Sequence, residues 1–210
     1  MEAACDELKS KAEEKRIYGC RWDISDIGMC ESKIEEIMCI ANGKIDCWVN
    51  NAGIYREVDY TTCCEADWDM IFNTNAKGVY FATNRIVKYF LDNHRKGNIV
   101  NISSETGETA STSPYAFTKN IIDQYTRGLA YELSKKNIRI NAVSPGVVAT
   151  EINGIAPNEA MNYSSIGGRI LRPEEIAEVV VFLLSDLSQC INGEIITLNE
   201  GNTLKVEYNR

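Results

Sequence analysis

Apolar residues fall along this chain in two kinds of run. Short, nearly unbroken stretches at Ile45–Val49, Asn98–Ser103, Ile138–Val143 and Gly193–Leu198 are rich in Ile and Val, and small or polar residues follow them. Runs of that kind, apolar on both faces, predict strands covered on both sides. Longer segments lie between them. Residues 2 to 15 are rich in Ala, Glu, Lys and Leu and lack Gly and Pro, which predicts a helix. The turn Asp23-Ile24-Ser25-Asp26 is placed to cap a second helix, which runs to about Asn42 and is broken by Gly43-Lys44. A long segment from about Ala66 to Asn93 predicts a third helix, bent near Asn75 to Gly78; Tyr115 to Lys136 predicts a fourth, and Pro173 opens a fifth through Leu184. Arg16 to Trp22 is a further short strand candidate, and residues 147 to 168 read as irregular. Strands that alternate with helices in this way predict an α/β architecture with a parallel, doubly wound sheet, in one domain covering residues 1–210.

Composition narrows the function classes. The chain of 210 residues is 44% hydrophobic and 25% charged, enough for one sizeable core. A net charge of −8 argues against nucleic acid, whose phosphates need a basic face. The eight cysteines contain no C-x-x-C, and the single histidine, His94, cannot complete a zinc set. No metal site is expected. Cys39 and Cys47 lie inside apolar runs, and the cysteines read as reduced thiols used as small hydrophobes. No apolar run approaches the roughly 20 residues of a membrane span, and the first residues are charged at once, so a cytoplasmic protein is expected.

Candidate chemistry sits where the strands end. Ligands of parallel sheets bind at the C-terminal ends of the strands. The residues there are Asp23-Ile24, Asn50-Asn51-Ala52-Gly53, Ser103-Ser104 and Pro145-Gly146. Close to Ser103-Ser104 in sequence, Tyr115 and Lys119 are spaced to stack on one face of a helix. A hydroxyl at a strand end, facing a tyrosine with a lysine one turn away, is a proton-transfer arrangement. A lysine cation favours the tyrosinate form and so bears on the pKa a catalytic tyrosine needs.

Asn50-Asn51-Ala52-Gly53, Asn75-Ala76-Lys77-Gly78, Ser104, Tyr115-x-x-x-Lys119 and Pro145-Gly146, in that order, resemble the short-chain dehydrogenase/reductase family, over residues 1 to about 204. The resemblance implies a Rossmann-like fold and an NAD(P)-dependent oxidoreductase that moves a hydride between nicotinamide and a carbonyl or secondary alcohol. It implies Tyr115 as acid/base and Lys119 as the cation beside it, also bound to the nicotinamide ribose. Ser104 would hold the substrate oxygen, with Ser103 as the neighbouring alternative, and Asn75 would hold a relay water. For NAD or NADP it implies Asp23 and Ile24 at the adenine. Asn50, Ala52 and Gly53 would lie along the adenine ribose, where side chains would collide with the cofactor. Pro145 and Gly146 would lie under the nicotinamide, with Val148 and Thr150 at its carboxamide. Segments 54–62, 105–114 and 151–168, including Tyr55, Arg56, Glu105, Met161 and Tyr163, would choose the substrate, and a 3-oxoacyl-carrier-protein reductase is the family-average reading. Helices 66–93 and 115–136 would build a homodimer or homotetramer.

The chain departs from the family pattern in two places. Leu198-Asn199-Glu200-Gly201 stands where Asp-Gly-Gly is usual, which implies a changed terminal turn more than changed chemistry. The family's opening T-G-x-x-x-G-x-G turn, which presents backbone N–H groups to the pyrophosphate, has no counterpart among Gly19, Gly28 and Gly43. The expectation is therefore an N-terminally truncated sheet without the family's first two strands and first helix. The Arg16–Trp22 strand would then slide in beside Ile45–Val49, or an apolar edge would be left open. The alternative functional reading is a truncated, non-catalytic fragment or pseudo-enzyme acting as an interaction subunit.

Overall fold

The β-branched runs pair into a single parallel sheet. In the computed structural model, which describes residues 2–11, 17–155 and 167–204, four strands lie in chain order: β1 (Cys47–Asn50), β2 (Gly97–Ile102), β3 (Ile138–Pro145) and β4 (Ile195–Leu198). The register places Val49 opposite Val100, Asn50 opposite Asn101 and Ile99 opposite Ile140. Successive side chains point to opposite faces, so Ile99 and Val100 serve different cores. On one face Ile99, Ile138 and Ile140 pack against Ile34 of α2 (Cys30–Ile40), Ile86 and Phe90 of α4 (Val79–Asp92), and Leu133 of α5 (Pro114–Leu133). On the other, Val100 and Val143 meet Ile176, Val180 and Leu183 of α6 (Pro173–Leu184). Helices cover both faces, as the unbroken apolar strands predict.

Two asparagines inside the sheet, Asn50 and Asn101, are paired with each other across β1 and β2. Asn50 Nδ2 donates to Thr83 Oγ1 at 2.8 Å and to Asn101 Oδ1 at 2.7 Å. Its Oδ1 accepts from Trp48 Nε1 at 2.8 Å, and Asn101 Nδ2 donates to Thr126 Oγ1 at 2.8 Å. Each of these buried amides is thereby spared the cost of an unmet hydrogen bond.

Three expectations change. Residues 17–22 form no strand, and Arg16 lies outside the described residues. Strand backbone needs a partner ladder. Among the described residues β1 pairs only with β2 and stands at the sheet's edge, which matches the open-edge alternative: Val49 is 38% exposed. The second helix begins with a 3₁₀ turn at Ile27–Met29, and Asp26 makes no side-chain cap. Cys39 and Cys47 are exposed rather than core residues, while Cys30 is buried; all eight cysteines are unpaired. The first helix, α1 (Glu2–Lys11), matches the prediction as far as the described residues run. The predicted bend is real: α3 (Glu65–Phe72) passes through a π-turn, Asn73–Gly78, into α4. No helix among the described residues is long and apolar enough to cross a membrane.

Candidate active site

The π-turn is the first positioning device. A π-turn widens a helix by one residue and turns a side chain out of the usual row. Here the side chain is Asn75, only 1% exposed. Its Nδ2 donates to the Ile54 carbonyl and its Oδ1 accepts from the Ile54 N–H, both at 2.8 Å. This reciprocal amide clasp ties the loop after β1 to the helix. Gly78 ends the turn against Ile24; a Cβ there would stand 2.6 Å from the Ile24 carbonyl oxygen. The predicted adenine-side residues therefore rest on the same turn that carries Asn75. Asp23 uses its carboxylate locally, accepting from Ser25 N–H at 3.0 Å and Ser25 Oγ at 2.7 Å. Those bonds hold its pKa below the usual range.

Helix α5 begins at Pro114, a residue suited to the first helical turn. Tyr115 and Lys119 then project toward the end of β2. Lys119 is 6% exposed; its Nζ donates to the Ile102 carbonyl at 2.9 Å and lies 5.5 Å from the Tyr115 ring centroid. Burial lowers its pKa from 10.5 to about 8, and Asp123 opposes that change, leaving the ammonium protonated at neutral pH. On the other side of Tyr115, the Tyr55 ring meets it edge-on at 5.1 Å. Burial raises the Tyr115 pKa, a hydrogen bond from Ser104 pulls it down, and Tyr55 adds to the rise. The expectation that Lys119 lowers this pKa thus has a stronger opponent in desolvation.

Ser103 and Ser104 separate cleanly. Ser103 Oγ faces the Lys119 carbonyl at 3.4 Å, behind the site. Ser104 Oγ accepts from Thr106 N–H at 3.3 Å and Thr106 Oγ1 at 3.1 Å. With its lone pairs used, its own O–H is free to donate toward Tyr115. Ser104, Tyr115, Lys119 and Asn75 form one group, and Gly53 lies among them: a Cβ there would be 3.5 Å from Asn75 Oδ1 and 3.8 Å from Lys119 Nζ. This bare backbone beside a buried ammonium suits the ribose hydroxyls of a nicotinamide cofactor.

The other predicted contacts lie along the same rim. Asn50 turns its side chain into the sheet's amide ladder, leaving only backbone for a ligand, whereas Ala52 is exposed. Gly146 N–H donates to the Leu198 carbonyl at 2.8 Å, and Val148 bridges to Leu171, with Thr150 Oγ1 turned back to the Val148 carbonyl at 3.4 Å. Two of the segments expected to choose the substrate meet in a cavity of about 390 Å³ lined by Tyr60, Trp68, Thr112 and Pro114, the residue before Tyr115. Met161 and Tyr163 lie outside the described residues.

Sequence reasoning missed Ile54 and Ile102, which act through backbone atoms, and Asp123, a carboxylate 1% exposed whose pKa burial raises. It also read Glu105 as a substrate contact, whereas its carboxylate accepts from Asn199 at 2.9 Å and Asn202 at 3.1 Å.

Known proteins resemble this chain along most of its length. Residues 1–203 match the family model described as enoyl-(acyl carrier protein) reductase. The chain is 40% identical over 164 residues to the 3-oxoacyl-(acyl-carrier-protein) reductase FabG of Thermotoga maritima, covering 76% of this chain and 66% of that protein. It is 33% identical over 202 residues to the acetoacetyl-CoA reductase of Shinella zoogloeoides, covering 93% and 83%. Among solved structures, ElxO with NADP bound superposes with a TM-score of 0.86 at 28% identity, over 97% of this chain and 85% of that one.

Proposed function

The chain belongs to the short-chain dehydrogenase/reductase family of NAD(P)-dependent oxidoreductases, and on that footing we propose that it reduces the ketone of a 3-oxoacyl thioester. The observation that carries the reading is the single cluster of Ser104, Tyr115 and Lys119 beside Gly53 and Asn75. A bound nicotinamide supplies the hydride. The chain's own residues handle the oxygen and the proton. Ser104 donates to the substrate oxygen with the O–H that Thr106 leaves free. Tyr115 Oη gives its proton to that oxygen as negative charge develops. Lys119, held by Ile102, supplies positive charge behind the phenol and a donor toward the ribose. Asn75 holds the Ile54 loop against the site and keeps Gly53 in place.

The ionisation of Tyr115 shapes the pH profile of each direction. Its raised pKa keeps the phenol protonated at neutral pH, the form that donates to a carbonyl. Alcohol oxidation needs the phenolate, so its rate climbs with pH while reduction holds flat and then falls. The test is initial rates with an acetoacetyl thioester and NADPH or NADH, and with the 3-hydroxy product and the oxidised cofactor, from about pH 7 to about pH 10. No turnover and no binding of either cofactor by the wild-type protein would refute the reading and favour the non-catalytic alternative.

The same reading pairs two copies through α4 and α5. Tyr80, Phe81, Phe117 and Ile121 stand exposed there, more apolar surface than a lone helix face needs. A wholly monomeric species in light scattering would contradict it.

A further inference from the structure

Glu200 sits in the left-handed region at φ +52, a conformation that glycine adopts freely and glutamate does not. Strain of this kind persists where surrounding contacts hold it. The contacts here are specific. Arg169 Nε donates to Glu200 Oε1 at 2.6 Å, and its two Nη atoms grip Glu175 at 2.8 and 2.9 Å. Gly167 passes directly against the Glu200 side chain, where any Cβ would collide with it. Two residues beyond Arg169, Leu171 pairs with the segment after β3: its N–H donates to the Val147 carbonyl and its carbonyl accepts from Ala149 N–H, both at 2.9 Å.

The other arm of the same turn reaches the opposite way. Asn199 Nδ2 donates to Glu105 Oε2 at 2.9 Å, and Asn202 Nδ2 reaches both oxygens at 3.1 and 3.3 Å. Glu105 directly follows Ser104. Asn199 is braced in turn by Thr203 at 2.8 Å and by Gly201 N–H at 3.1 Å.

We propose that the turn at residues 199–203 is a latch, with Glu200 and Glu105 as positioning residues. It fixes the loop carrying Ser104 relative to the 146–150 segment, which would lie under the nicotinamide. One carboxylate holds the catalytic loop to the turn; the other holds the turn to the strand-like pair Val147–Ala149 and Leu171. The inference rests on the reductase reading. It assigns a purpose to a glutamate kept where glycine would be relaxed.

Glu200→Gly separates this role from a plain structural one. Glycine suits the left-handed backbone, so the melting temperature is expected to equal or exceed the wild type's. Loss of the Arg169 bond loosens the 146–150 segment, and NADPH affinity, read by the fluorescence of the bound cofactor, is expected to weaken on the order of tenfold. A contact serving stability alone would leave affinity unmoved. Glu105→Ala is expected to lower kcat by a similar factor with cofactor affinity retained. Glu105→Gln, whose carboxamide still accepts from Asn199 and meets Asn202 once that amide turns over, recovers most of the loss. A Glu200→Gly protein with wild-type NADPH affinity and kcat overturns the latch while leaving the reductase reading intact. A wild-type protein that neither binds nor turns over removes both.

Discussion

Replacing Lys119 with methionine should make the protein more stable at neutral pH while abolishing turnover. Methionine keeps the length and most of the volume of the stem and removes the charge. In the folded protein the lysine pKa is lowered from 10.5 to about 8 by burial, whereas the unfolded chain restores the ordinary value. That gap corresponds to roughly 3 kcal/mol of charge-burial penalty. Against it stands the lost hydrogen bond to the Ile102 carbonyl, about 1 kcal/mol. Net stabilisation of about 2 kcal/mol is expected at about pH 7. The sign reverses with pH. Between about pH 8 and about pH 10.5 the unfolded state holds the proton that the folded state has released, so wild-type stability climbs through that interval. Above it the penalty is gone and the hydrogen bond leaves the wild type ahead. Urea unfolding of both proteins at several pH values measures this directly, and matched m-values license the comparison. A less stable methionine variant at neutral pH, or a stability difference that does not change with pH, would refute the argument that the ammonium is buried at a cost.

Other substitutions test other parts of the site. Asn75→Ala leaves the Ile54 N–H and carbonyl without their partners in a half-buried setting, and is expected to cost about 1–2 kcal/mol in chemical denaturation as well as activity. Tyr115→Phe should retain cofactor binding in fluorescence titration while losing turnover in both directions; appreciable residual reduction would move the proton donor elsewhere. Gly97→Ala drives a methyl into the Phe90 ring and should destabilise by about 1–3 kcal/mol without altering KM, since the contact lies at the far end of β2 from the site.

Much of this site was legible because it is local. Tyr115 and Lys119 are one helical turn apart, and that spacing alone sets them on one face. The bend at Asn75–Gly78 was readable as well, although its form, a π-turn clasping Ile54, depends on a loop remote in sequence. What escaped is what depends on distance along the chain. Glu105 meets Asn199 across 94 positions, and no pattern near either residue marks the pair. The missing strand at residues 17–22 failed for a related reason: its residue types suit a strand, but a strand is defined by its neighbour, and β1 offers none on that side in the described residues. For the Tyr115 pKa, the lysine charge is visible in the sequence while the burial that works against it is not.

The edge position of β1 has a consequence for how the sheet breathes. In a parallel ladder alternate residues turn their amides to opposite sides, and Asp46, Trp48 and Asn50 are the ones that engage β2. Cys47 and Val49 therefore direct their amides outward. Within the sheet, deuterium should enter those two amides and the outward amides of the other edge strand, β4, before the amides of β2 and β3, which have ladders on both sides and helices above and below. The gradient runs across the sheet and not along it. Gly53, which follows β1, is carried by an edge strand, while Ser104 and Gly146 hang from the two central strands, which open least.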